Sequence, residues 1–329
     1  MGLKTSPMIR ILANDGIDEA GRKIFLDAGF EVVTEKVPQD SLSSGLADFD
    51  AVLVRSATQV RKELIDANPQ LKLIGRAGVG MDNIDVSYAR EKGLHVVNTP
   101  DASSESVAEL VFAHMFTMAR QLHHSNRHMP SCESAEAFNK LKKQYSSGFE
   151  LKGKTIGIVG FGKIGQSVAR MALAFGMEVK PFKLNASDVK IGIDFFKTHS
   201  DTTLMVTMKC VPFEDLLQSS DFITLHVPFP KGAPPVIGAK EFAQMKKGVC
   251  VINTSRGGAI SESDLLEALQ NGTVGHAALD VFEGEPMIRE ELRQHQRVSL
   301  TPHIGGSTVE AQERIGIELA TKVVQLFKS

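Results

Sequence analysis

A chain of 329 residues exceeds what one ordinary hydrophobic core organises, so two domains are expected. Its apolar content of 42%, charged content of 23% and formal net charge of -2 fit a globular protein with no general attraction to nucleic acid. Cys132, Cys210 and Cys250 are too few and scattered for a disulfide framework or metal cluster, and no apolar run approaches the roughly 20 residues of a bilayer span. These totals predict a cytoplasmic protein with no nucleic-acid, membrane or metal partner. Residues 1–6 fit a loose myristoylation pattern that, with no second membrane signal, reads as a chance match.

Short apolar runs at 9–13, 31–33, 51–54, 72–74 and 94–97 read as strands, with a helix at 16–28 between the first two. Strands alternating with helices predict a parallel α/β sheet. Residues 103–127 carry a long, densely apolar helical pattern, started by Ser103 and Ser104 with Glu105 in the first turn. Residues 128–150 are polar and read as a surface excursion. A second α/β region opens at Lys154, with strands at 176–180, 222–225, 248–252, 277–280 and 298–300. Between them, 183–212 is irregular, with an extra strand at 205–208. Helices are expected at 213–219, 263–270 and 307–328.

The second region opens on the most informative stretch. The run at 156–159 is apolar, and Gly160, Gly162 and Gly165 follow at GxGxxG spacing. Ile164, Val168, Ala172 and Phe175 then share one helical face. A strand, a glycine turn and a helix in this order bind a dinucleotide pyrophosphate. Gly160 permits the turn, Gly162 clears the approach to the phosphates, and Gly165 lets the helix pack on the strand. The helix N-terminus supplies N–H donors and a positive dipole end.

Polar residues gather just past the predicted strand ends, where parallel sheets place ligands. Arg55, Ser56, Arg76, Gly78 and Gly80 do so in the first half, and Arg256, Glu285 and His303 in the second. Oxidising an alcohol beside a carboxylate needs a base, a cation and a hydride acceptor. His303 can be the base, Glu285 can favour its imidazolium, and Arg256 can grip the carboxylate. Taken singly, each also reads as an ion pair, a turn cap or a loop acid. The other histidines show no metal spacing, and His226 stands out among them for lying on the same sheet edge.

The motifs GFGKIG at 160–165, NTSRGG at 253–258, DVFEGEP at 280–286 and TPHIGG at 301–306 resemble, in order, the signatures of the D-2-hydroxyacid dehydrogenases. The resemblance covers essentially the whole chain. VRSAT at 54–58, GRAGVGMDNID at 75–85 and NTP at 98–100 are similar to the substrate-domain motifs of the branch that oxidises 3-phosphoglycerate.

The resemblance implies an α/β fold of two Rossmann-like, doubly wound parallel-sheet domains. The nucleotide domain, 105–299, would be inserted in a substrate domain made of 1–104 and 300–329, with the active site in the cleft between them. It implies a catalytic Arg256, Glu285 and His303. It also implies a cofactor, NAD or NADP, touched by Val79, Gly160, Gly162, Lys163, Ile164, Gly165, Val227, Thr254, Ser255, Asp280, Gly305 and Gly306. The backbone around Gly78 and Gly80, with Ser56, would hold the substrate, and Arg55 and Arg76 would take the phosphate of a phosphorylated hydroxy acid. The helix near 105–127 and the excursion after it imply a homodimer.

Two features depart from the family. The chain ends after the last family helix, so no serine feedback through a C-terminal regulatory domain is expected. The acid that grips the ribose about 20 residues beyond the glycines is replaced by Lys183, near Lys180. Lysines there tolerate or attract NADP, or are simply solvated. Another 2-hydroxyacid dehydrogenase or an NADPH-dependent 2-oxoacid reductase fits the same motifs. A redox-sensing corepressor on this fold is the reading from another class.

Overall fold

A computed structural model describes residues 8–185, 187–194, 203–230 and 232–328, so the lipidation pattern at 1–6 lies outside the described residues. The chain divides into two compact units, Met1–Ser104 with Gly306–Ser329, and Glu105–Gly305. The second crossing therefore falls at 305/306 instead of 299/300.

The first unit is built on five parallel strands, β1 (Arg10–Ala13), β2 (Glu31–Val33), β3 (Ala51–Val54), β4 (Leu73–Arg76) and β5 (His95–Asn98), in the order β2-β1-β3-β4-β5. Alternate residues point to opposite faces of a strand. Thus Ile11, Leu53 and Leu73 pack in one layer with Phe25, Leu319 and Val323, while Leu12, Val52 and Ile74 pack in the other with Leu42, Leu64 and Ile65. Helix α1 (Glu19–Asp27) starts at Asp18, whose carboxylate accepts the Ala20 N–H. The C-terminal helix, Val309–Lys328, lies so close to α1 that a Cβ on Gly21 would come within 2.5 Å of the Gly316 backbone. That approach returns the end of the chain to the unit where it began. Helices α2 (Leu42–Gly45), α3 (Lys62–Ala67) and α4 (Val86–Glu91) complete this unit.

The second unit opens with α5 (Ser104–Arg120), α6 (Leu122–His128) and α7 (Ala135–Gln144). One continuous helix over 103–127 was expected, but Gln121 takes a left-handed φ of 48° and separates α5 from α6. The polar excursion contains α7, capped where the Ser134 hydroxyl accepts the Ala137 N–H. The sheet follows with β6 (Thr155–Val159), helix α8 (Lys163–Ala174) and β7 (Glu178–Phe182). Gly176, expected to open that strand, instead ends α8 with a φ of 71°. Next come a hairpin, β8 (Val189–Asp194) and β9 (Thr203–Met208), then α9 (Phe213–Ser219) and β10 (Phe222–Leu225). The chain continues with α10 (Ala239–Phe242), β11 (Val249–Asn253), α11 (Glu262–Gln270), β12 (Val274–Leu279), α12 (Glu290–Arg293) and β13 (Val298–Leu300).

The six-stranded sheet is parallel, in the order β13-β12-β11-β10-β6-β7. A full dinucleotide-binding sheet would carry one more strand outside β7. Among the described residues that strand is missing. The antiparallel pair β8–β9 forms its own small sheet and buries Ile191 and Met208 in the unit's core. The single strand expected at 205–208 is therefore one arm of a hairpin.

Candidate active site

The glycine turn leaves room where a dinucleotide needs it. Gly160 follows β6 at a φ of 99°, and a Cβ there would meet the His226 carbonyl at 2.5 Å and Val227 at 2.8 Å. Val227 thus packs against the turn from the end of β10, across the point where the strand order reverses. A Cβ on Gly165 would lie 2.3 Å from the Gly160 carbonyl, so only glycine lets α8 approach β6 this closely. Gly162 is different, because a Cβ there meets nothing within 4 Å. It is exposed, no side chain caps the helix start, and Lys163 beside it is exposed too. Ile164 turns inward and packs on the core. A bare helix N-terminus with a backbone open at Gly162 and a cation next to it suits a pyrophosphate.

Beyond β7 the two lysines separate. Lys180 donates to the Ser219 hydroxyl at 2.7 Å, which commits it to α9. Lys183 lies just past the strand and is exposed.

Three loops at the ends of β11, β12 and β13 carry the proposed chemistry. Asn253, nearly fully buried, shapes the first: its Oδ1 accepts the Ser255 N–H at 3.0 Å and hydroxyl at 2.7 Å, and its amide donates to the Arg256 carbonyl at 2.8 Å. Arg256 is half-buried and donates to the Ser255 carbonyl at 2.6 Å. Ser255 is itself buried, and the neighbouring Thr254 hydroxyl is buried without a hydrogen-bond partner. Gly257 runs so close to the second loop that a Cβ would lie 1.8 Å from the Phe282 carbonyl, which fixes Arg256 beside the loop bearing Glu285.

Glu285 spans two partners. One carboxylate oxygen accepts the Phe282 N–H at 2.9 Å, and the other meets His303 Nδ1 at 3.0 Å. The first bond orients the carboxylate and the second leaves His303 Nε2 directed elsewhere. The His303 side chain is 49% exposed, open enough to meet a ligand. This geometry holds the imidazole ring in one orientation against a carboxylate and leaves its other nitrogen open to a ligand.

His303 sits at a φ of 55°, a conformation unusual for a residue with a Cβ. Asp280 explains how it is kept there. This carboxylate is 1% exposed and accepts the Thr301 hydroxyl at 2.6 Å, the Ile304 N–H at 2.8 Å and the Gly305 N–H at 2.9 Å. Expected to touch a cofactor, Asp280 is placed first as the anchor of the turn that carries His303. Thr301 also meets His114 Nε2 at 3.2 Å, and His114 Nδ1 meets Ser299 at 2.9 Å. Burial keeps the His114 imidazole below its usual pKa.

In the first unit, polar side chains that sequence reasoning passed over organise the strand ends. Asp15 accepts the Arg55 N–H at 2.7 Å and both the N–H and the hydroxyl of Thr58, at 3.1 and 2.8 Å. Asn83 donates to the carbonyls of Arg55 and Thr58 at 2.8 and 2.6 Å. The backbone of Arg55 is thus fixed, with exposed Ser56 beside it. The Arg55 guanidinium has a buried Nε without a hydrogen-bond partner and joins no salt bridge among the described residues. Arg76 folds back onto the Ala77 carbonyl, and Gly78 turns sharply at a φ of 142° beside it. Thr99 donates its N–H to Gly78 and Asn98 its amide to Val79, at 3.1 and 2.7 Å, which presents Val79 and Gly80. Asp15 gave no signal in the sequence beyond following a strand.

Among the described residues no group of three His, Cys, Asp or Glu is arranged to hold a metal, and no helix is long and apolar enough to cross a membrane. The model for the NAD binding domain of the D-isomer specific 2-hydroxyacid dehydrogenases matches residues 112–305. A hydroxypyruvate reductase of Thermotoga maritima is 41% identical over 318 residues, covering 95% of this chain and 97% of that protein. A D-3-phosphoglycerate dehydrogenase of Bacillus subtilis is 40% identical over 324 residues, 98% of this chain but only 57% of that enzyme. The holo form of D-mandelate dehydrogenase from Rhodotorula graminis superposes with a TM-score of 0.82 at 26% identity, covering 97% of this chain and 94% of that one. With the glycine turn, the Glu285–His303 pair and Arg256 in place, these likenesses settle the assignment: the chain belongs to the D-isomer specific 2-hydroxyacid dehydrogenase family.

Proposed function

We propose that the protein oxidises 3-phospho-D-glycerate to 3-phosphohydroxypyruvate, the first step of phosphorylated serine biosynthesis. A bound nicotinamide supplies the hydride acceptor. His303 takes the C2 hydroxyl proton at Nε2, and Glu285 steadies the imidazolium across the 3.0 Å contact at Nδ1. Arg256 binds the substrate carboxylate and, in the reverse direction, polarises the carbonyl. Asp280 holds the turn in which His303 works. The N-terminus of α8 would hold the cofactor's pyrophosphate, and Lys183 in place of an acid would leave both NAD and NADP acceptable. The working form is a homodimer built on the α5–α7 region.

The observation that carries the substrate is Arg55, a guanidinium on an immobilised backbone that joins no salt bridge among the described residues. Such a group is suited to a phosphate. A second reading, reduction of unphosphorylated hydroxypyruvate, is favoured by the relative from Thermotoga maritima, which this chain matches over nearly its whole length. One comparison separates them: kcat/KM for 3-phosphohydroxypyruvate and for hydroxypyruvate, in the parent and in Arg55→Gln. Loss of a charge-assisted contact worth about 1.5–3 kcal/mol should cost the phosphorylated substrate about 10- to 150-fold and the other almost nothing. Equal losses, or a parent that prefers hydroxypyruvate, would favour the second reading. No turnover of any hydroxy acid would return the corepressor.

A further inference from the structure

The loop that carries Glu285 is fastened by an acid that none of the proposed chemistry uses. Glu262, the first residue of α11, has a side chain only 5% exposed, and its Oε1 accepts the Glu283 N–H at 2.8 Å. Glu283 returns the bond, its Oε1 accepting the Glu262 N–H at 2.9 Å. That N–H lies in the first turn of a helix, where no carbonyl of the helix can take it and the positive dipole end favours carboxylates. Arg289 stands against both acids, 3.3 Å from Glu262 and 3.5 Å from Glu283.

Burial, reinforced by the Glu283 carboxylate, raises the Glu262 carboxyl above its ordinary pKa. Keeping an acid in such a place costs stability. What it does there runs along the backbone. Glu262 fixes the N–H of Glu283, and the N–H of the residue before it, Phe282, is the one that Glu285 accepts at 2.9 Å. The Phe282 carbonyl in turn lies so near Gly257 that a Cβ there would come within 1.8 Å. Residues 282–283 are thus held by contact on the Gly257 side and by hydrogen bonds on the α11 side. From that backbone Glu285 reaches His303 Nδ1 at 3.0 Å.

We propose that Glu262 is a positioning residue: through the Glu283 N–H it sets the Glu285 carboxylate against His303. The inference rests on the reading of Glu285 and His303 as the reacting pair, so the experiment keeps the two apart. Reduction of 3-phosphohydroxypyruvate and of hydroxypyruvate by NADH is measured in the parent, Glu262→Ala, Glu285→Ala and the double variant. Glu262→Ala should lower kcat by about 10- to 100-fold, the scale of a small misplacement, with KM and NADH affinity changed by less than about 2-fold. In the Glu285→Ala background the same change should cost less than about 3-fold, because nothing remains to be placed. Glu262→Gln keeps an oxygen for the Glu283 N–H and should recover most of the lost turnover. Histidine-selective nitrogen NMR reads the same alignment without catalysis. In the parent, His303 should hold a proton on Nδ1 facing Glu285, and Glu262→Ala should let the ring sample both tautomers. Glu283→Ala, made at an exposed side chain, removes the returning bond and serves if Glu262→Ala folds poorly. Equal losses of turnover in both backgrounds, or an unaltered His303 signal, would overturn the proposal. Absence of turnover in the parent, or full turnover in Glu285→Ala, would instead sink the reading of the reacting pair, and the NMR comparison would still decide the placement.

Discussion

Asp280 offers the sharpest test of how the active turn is built. In Asp280→Asn the side-chain volume is kept, but one carboxylate oxygen becomes an NH2. The retained oxygen can still accept from Thr301 and Ile304, as Oδ1 does now at 2.6 and 2.8 Å. The new NH2 would face the Gly305 N–H, which now donates to Oδ2 at 2.9 Å, so two donors oppose each other inside a site that is 1% exposed. A buried donor left unsatisfied costs about 1–3 kcal/mol. The left-handed φ of His303 costs a further amount on the order of 1–3 kcal/mol, which the surrounding bonds must offset. With those bonds weakened, the turn relaxes and His303 leaves its alignment with Glu285. Urea unfolding should show a loss of about 1–3 kcal/mol. The turnover number should fall by about 5- to 150-fold, the equivalent of the same free energy. NADH binding, followed by fluorescence, should weaken far less than turnover falls. A variant with parental stability and turnover would show that Asp280 does not hold the turn. A variant that lost only NADH affinity would make it a cofactor ligand instead.

Other expectations concern groups further from the turn. Burial pushes the His226 imidazole down to about 3, with Nδ1 buried and unpartnered although the residue as a whole is only half-buried. The unfolded chain therefore takes up this proton first. Stability is complete above about pH 6.5 and should fall by about 1.5 kcal/mol between pH 6.5 and 5 from this residue alone. His114 and His276 act in the same direction. Urea titrations of the parent and His226→Gln at both pH values check this, and equal slopes would refute it. Burial also raises the Cys250 thiol to about 12. At pH 8, mass spectrometry after iodoacetamide should find Cys132 and Cys210 labelled and Cys250 untouched until urea is added. Rapid labelling of Cys250 in the native protein would contradict its burial. Finally, Lys183→Glu should lower the ratio of NADPH to NADH efficiency by about 10-fold or more, since a carboxylate repels a 2′-phosphate. An unchanged ratio would make Lys183 a bystander, as Lys180 already is.

The glycine turn was legible because strand, turn and helix chemistry all agree between 155 and 174. Arg256, Glu285 and His303 were legible as residues following strands, and the structure adds the bonds that join their loops. Less visible were the residues that do the holding. Asp15, Asn83, Asn253 and Asp280 work by accepting or donating to backbone groups that only the folded chain brings within reach. The apolar period of α5 runs past Gln121, so nothing local announced the break there. Helix α7 did carry signals, with Ser134 as cap, Glu136 in its first turn and Lys142 and Lys143 in its last. Its low apolar content masked them. The count of 20 residues pointed to both lysines after the glycines, but the register of β7 turns Lys180 toward Ser219.

One bond at the boundary of the second unit gives that unit a particular character. The Ser106 hydroxyl donates to the Gly305 carbonyl at 2.7 Å, so the first and last turns of this stretch are stitched together. Across the boundary in sequence, Ser103 and Gly306 are likewise neighbours within the first unit. A stretch whose two ends meet is a cassette: it can be lifted out of one chain and set into another without stretching either. Because Arg256, Glu285 and His303 all fall inside 105–305, such a graft would carry the proposed acid–base machinery whole and leave behind the unit that bears Arg55. Recipient chains of this architecture then become a means of exchanging substrate preference while the chemistry stays fixed.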